Sequence, residues 1–187
     1  MIRFEDYIQL KAFARQDGLM LAALWTASFA CITKLSAGLL GNFLALATPF
    51  FVGWRVLRFR DRILDGTISF RRSYAFAFFM FIYASLVFAL VQWAYFRYLD
   101  GGIFASTITD TLRLLTPVYT QNGISAAQIT ETINLVQMLT PIQWAFMFLM
   151  QNVLIGTIVG FPIAAVCRRG KLIKPIKRDN NNFLNPQ

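Results

Sequence analysis

Uncharged stretches divide the chain more clearly than any motif does. Ser73 to Phe96 runs 24 residues without a charge, and Thr132 to Cys167 runs 36. Gly18 to Thr33 and Leu35 to Trp54 add runs of 16 and 20. Because the hydrocarbon core of a bilayer takes about 20 apolar residues as helix, the pattern predicts an all-α membrane protein. Four transmembrane helices are expected, over about 15–33, 37–56, 73–96 and 141–166. The first run is short, but Tyr7, Ala12, Phe13 and Ala14 extend the helix backwards. Glu5, Asp6 and Asp17 ahead of it, and no clean cleavage site after it, argue against a signal peptide.

Between Arg97 and Thr140 the apolar spacing predicts two short amphipathic helices in the loop joining the third and fourth spans. Phe104, Ile108, Leu112 and Leu115 share one stripe until Tyr119 to Gly123 breaks it. Ser125 and Gln128 fit a capping box for the second helix, which carries Ile129, Ile133 and Val136. Thr140, Pro141 and Gln143 give the fourth span the same kind of start. Pro49 is expected to kink the second span near its middle.

At 187 residues and 57% hydrophobic content, the chain has room for a single integral membrane domain, 1–187, with short flanks. Its net charge of +9 could suggest nucleic acid, yet the charges flank apolar spans and none is expected to serve a nucleic-acid partner. Fifteen of the 18 Lys and Arg fall before Gly18, between Arg55 and Arg72, or after Cys167. The positive-inside rule therefore sets both termini and the 55–72 loop in the cytoplasm, with a basic tail over 168–187. Trp54 and Tyr74 suit the inner aromatic belt; Trp93, Tyr95, Tyr98 and Trp144 suit the outer one.

Chemistry is scarce. There is no His, and Cys31 and Cys167 fall at opposite membrane faces, too far apart for a disulfide. Metal binding, cofactors and catalysis are not expected. No Asp, Glu, Lys or Arg is expected within a span core. The candidate residues are therefore ones that pack helices or touch lipid. Gly156 and Gly160 form Gly-x-x-x-Gly, which lets another helix approach, in this chain or in a homo-oligomer or partner membrane protein. Asn42 and Gln92 share an outer depth, and Thr48 and Asn152 both fall about 16 Å below the outer end. Asn152, or failing it Gln151, is expected to hydrogen-bond around Thr48 and Pro49. Arg55, Arg58, Arg62, Arg71, Arg72, Arg168 and Arg169 are placed to contact anionic lipid.

"ARQDGLMLAALW" at Ala14 to Trp25, "LALATPFFVGWRVLRFRD" at Leu44 to Asp61, "DGTISFRRSYAFAFFMFIYAS" at Asp65 to Ser85 and "NVLIGTIVGFPIAAV" at Asn152 to Val166 resemble the bacterial four-helix membrane family called domain of unknown function 4199. The resemblance implies a multi-pass protein of a Gram-negative inner membrane and carries no catalytic residue. Two functional expectations follow from the residues. The first is a non-enzymatic protein of structural, assembly or accessory type, acting through helix and lipid contacts. The alternative is a small carrier or channel component with a path lined by the amides.

Overall fold

A computed structural model describes residues 4–34 and 37–169. Of the basic tail expected over 168–187, all but Arg168 and Arg169 lies outside them. Seven helices follow in order: α1 (Phe4–Thr33), α2 (Gly38–Leu46), α3 (Thr48–Ile63), α4 (Phe70–Tyr98), α5 (Ile103–Gln121), α6 (Ala126–Met138) and α7 (Pro141–Cys167). Three stretches are long and apolar enough to cross a membrane: Gly38–Ile63, Phe70–Tyr98 and Pro141–Cys167. The helix α1 has 30 residues, yet Lys11, Arg15 and Asp17 charge its first half and it is not among them.

The single break between α2 and α3 falls at Ala47, where Pro49 cannot donate a backbone N–H and the ladder is interrupted for one residue. Beyond it α3 continues to Ile63, so Arg55, Arg58, Arg60 and Arg62 are helical rather than part of an inner loop. The helix runs past Val56, where the second span is expected to end, because Val56, Leu57 and Phe59 keep supplying apolar contacts between the arginines. The true turn is short. Asp65 and Gly66 both have positive φ, 51° and 76°, a conformation suited to an Asp-Gly pair.

At the centre stands α4. Along one side α1 runs parallel to it, from Tyr7 against Phe79 (ring centroids 5.6 Å) to Phe29 against Tyr95 (4.9 Å). Along another α7 runs antiparallel, from Phe148 stacked on Phe96 to Phe161 beside Tyr74 (6.0 and 4.8 Å). Small residues make both seams close. A Cβ on Gly18 would lie 2.8 Å from Tyr83 Cβ and 2.9 Å from the Met80 carbonyl oxygen. One on Gly156 would meet Phe81 Cβ at 2.6 Å, and one on Gly160 would meet Tyr74 at 3.3 Å. Both glycines of the Gly-x-x-x-Gly thus face α4 of the same chain.

Two clasps close the ends. At one, Ile68 and Arg169 exchange backbone hydrogen bonds of 3.0 and 2.9 Å, and Arg60 Nη1 donates to the Cys167 carbonyl at 3.2 Å. At the other, Lys34 Nζ donates to the Leu99 carbonyl at 3.1 Å, while the buried Asp100 carboxylate accepts from the backbone N–H groups of Gly102 and Phe104. Phe104 then anchors α5 to Trp144 at 5.1 Å. Trp144 is consequently buried in this aromatic cluster instead of standing in an outer belt. Both expected capping boxes, Ser125 with Gln128 and Thr140 with Gln143, are present.

Seam closeness has a direct consequence. Replacing Gly156 with Ala should cost about 1–3 kcal/mol, because the clash falls on Phe81 atoms next to its backbone. Gly53 has open space around its Cβ position, so Gly53→Ala should be neutral or stabilising by up to about 1 kcal/mol. Thermal melting in mild detergent checks the pair.

Candidate functional site

Residues at similar distances from the connection between α1 and α2 come opposite each other along α1 and α2–α3. Near that connection, Ser28 Oγ donates to the Gly41 carbonyl at 2.7 Å, and a Cβ on Gly41 would lie 2.8 Å from the Ser28 carbonyl oxygen. Further along, Trp25 Nε1 donates to Thr48 Oγ1 at 2.9 Å. Beyond the Pro49 break, Arg55 Nη2 donates to Asp17 Oδ1, and Phe13 sits on Phe59 at 5.6 Å. The two helices are tied by polar contacts at three successive levels.

The deepest level decides the character of the site. The side chains of Asp17 and Arg55 are 4% and 10% exposed, so both charges have left water. Such a pair holds only when each charge faces the other, since the desolvation of either alone costs several kcal/mol. Trp54 lies beneath the Arg55 and Arg58 guanidiniums, at 5.4 and 5.7 Å from its ring centre. Arg55 is therefore turned inward, against Asp17 rather than away from the helices. An arginine at a helix end can point to headgroups unless a carboxylate awaits it, and Asp17 supplies that carboxylate.

Beside the pair, α1 and α3 leave a cavity of about 300 Å³. Its polar lining is Gln16, Asp17, Arg55, Arg58 and Arg62, and its apolar lining is Phe13, Met20, Phe59 and Ile63. Positions 55, 58 and 62 follow i, i+3, i+7, so one face of α3 carries all three guanidiniums. Against one carboxylate the cavity holds a net charge of two positive. Arg55 Nε is buried with no hydrogen-bond partner among the described residues. Guanidiniums so placed are planar donors suited to an oxyanion. No group of three or more metal-ligating side chains occurs among the described residues.

The chain belongs to the family described as protein of unknown function (DUF4199). The match spans residues 16–169, which includes Asp17, the three cavity arginines and the three seam glycines, Gly18, Gly156 and Gly160. Neither a curated protein nor a solved structure matches the chain.

The remaining expected residues scatter. Thr48 is taken by Trp25, and no hydrogen bond joins Asn152 to α2 or α3 among the described residues. The pairing expected of these two therefore fails: α7 seats on α4 and meets α3 through Cys167, at the Gly53 carbonyl and at Arg60, while Thr48 is held by α1. Asn152 is half-buried and Gln151 exposed. Asn42 is exposed on α2, whereas Gln92 is buried on α4 with its Oε1 unpartnered among the described residues. Pro49 is half-buried at the break. Arg71, Arg168 and Arg169 are exposed and Arg72 is half-buried. Cys31 and Cys167 are free, buried thiols.

Asp17 is the residue that sequence reading missed. It was counted as a flanking charge because it precedes the first uncharged run by one position. Its distance from the connection between α1 and α2, nearly equal to that of Arg55, is the available signal. Arg55→Met alone should destabilise the chain by about 3–5 kcal/mol, by leaving Asp17 buried and unpaired, and Asp17→Leu should do likewise through Arg55. The double variant should recover most of that loss. Melting temperatures of the four proteins in one detergent measure the coupling.

Proposed function

We propose that the chain is a bacterial inner-membrane protein of structural, assembly or accessory type, working through helix and lipid contacts without catalysis. In this reading α1 is a fourth span and both termini are cytoplasmic. The supporting observation is that α1 lies alongside α4 from Tyr7 to Phe29, so it is coextensive with a helix that is itself long enough to cross. Pairing of Asp17 with Arg55 removes the obstacle that an unpaired carboxylate would present to that placement.

In the same reading α5 and α6 are amphipathic elements at the outer surface, resting on leaflet or partner. Leu114, Val118, Leu135 and Met138 are exposed on them and supply the apolar area. The carrier alternative requires the amides to border one path. Asn42 and Gln151 are exposed, Gln92 is buried and Thr48 is occupied, a distribution that favours packing over transport.

Cys167 is only 2% exposed and is a poor reporter of sidedness, so engineered thiols are needed. In a Cys31→Ser, Cys167→Ser background, Asp65→Cys should react with an impermeant maleimide only after the inner membrane is opened, and Ser125→Cys should react in spheroplasts. An amino-terminal epitope should stay protected from added protease until the membrane is opened. A protease-sensitive amino terminus in intact spheroplasts would leave three crossings and end the four-span reading.

A further inference from the structure

We propose that the cavity between α1 and α3 is a binding site for a phosphate ester, with Arg58 and Arg62 as its ligands and the Asp17–Arg55 pair as its rear wall. Three observations carry this. Arg58 and Arg62 line the cavity and make no hydrogen bond or ion pair among the described residues, whereas Arg55 is already committed to Asp17. Arg55, nine-tenths buried, still has an unpartnered Nε at the same place. The volume of about 300 Å³ is that of roughly ten waters, enough for a phosphate and part of its ester.

The lining selects the ligand class. A carboxylate is satisfied by one guanidinium fork, while the several oxygens of a phosphate can accept from two or three guanidiniums spaced along one helix face. Phe13, Met20 and Ile63 make the rest of the wall apolar, which suits the ester side of the group rather than a fully hydrated ion. Met20 and the neighbouring Trp54 are 44% and 52% exposed, so the mouth is bordered by apolar surface. A phospholipid headgroup and a free phosphate share the recognised group. The headgroup source rests on the reading that this end of the bundle lies at the bilayer surface; the phosphate chemistry does not.

Titration of the purified full-length chain in a neutral maltoside detergent tests the site, read by tryptophan fluorescence and by melting temperature. Dioctanoyl phosphatidylglycerol, dioctanoyl phosphatidylcholine and sodium phosphate are the probes, at constant ionic strength. Saturable binding of phosphatidylglycerol is expected, weakened about tenfold by Arg58→Gln and again by Arg62→Gln. The double variant Arg71→Gln, Arg168→Gln removes the same charge outside the cavity and should change affinity by less than about twofold. Met20→Glu leaves every arginine in place, sets a carboxylate in the cavity, and should abolish binding. Sodium phosphate saturating as tightly as the lipid would assign the site to the free anion, and saturation by lipid alone would assign it to headgroups. No saturation by either phosphatidylglycerol or phosphate, wild-type affinity in the Arg58→Gln, Arg62→Gln chain, or equal loss in the outside-charge variant would overturn the proposal. Binding in detergent does not depend on which way the chain crosses a membrane, so failure here and failure of the labelling experiment are separate results.

Discussion

A carboxylate and a guanidinium that leave water together constrain everything near them. Asp17 on α1 and Arg55 on α3 are such a pair, each side chain at least nine-tenths buried. Neither could remain there alone without a cost that rivals the whole stability of a small domain. The pair therefore fixes how far α1 slides along α3. Trp25 on Thr48 and Ser28 on the Gly41 carbonyl repeat the same register above it. Pro49 interrupts the backbone ladder at Ala47, between the levels of Gly41 and Thr48.

The other half of the bundle has no buried ion pair among the described residues and is held chiefly by shape. Gly18 lets α1 approach α4, and Gly156 lets α7 approach it from another side, each at distances where a methyl group would collide. Where no solvent drives helices together, such close backbone approach and the dispersion contacts it permits are the main source of association. The aromatic ladder along α4 fills the remaining space, from Phe76 stacked on Phe59 at 4.5 Å to Phe96 stacked on Phe148. Charge sets register on one side of the molecule, and shape sets it on the other.

Much of this was legible from the chain, for physical reasons that differ by feature. Capping boxes at Ser125 and Thr140, the Asp65–Gly66 turn and the Pro49 break are local, governed by residues within a few positions, and the sequence places them correctly. The close packing of Gly156 and Gly160 is half local: spacing shows that a helix approaches, and only the fold shows that it is α4. Thr48 with Asn152 failed because equal depth does not say which faces of two helices meet: α3 turns Thr48 to Trp25 on α1 and meets α7 through Gly53 and Arg60. The Asp17–Arg55 pair needed both depth and adjacency, and an uncharged-run criterion discards the first of its members. The cavity was invisible for the same reason, since its arginines are distinguished from other basic residues near the membrane only by what lies across from them.

That pair is also the part of the account most open to direct measurement in an intact membrane. In a chain lacking its native cysteines but keeping Asp17 and Arg55, Phe13→Cys with Phe59→Cys and, separately, Trp25→Cys with Thr48→Cys can be joined by a short bifunctional thiol reagent, then cut at a protease site introduced between α1 and α2. The account predicts that both pairs hold their fragments together, within one chain and before any detergent is added. Fragments joined through 25 and 48 but released in the 13 and 59 chain would show that α1 and α3 part at the level of Asp17 and Arg55, and would contradict the ion pair on which the site depends.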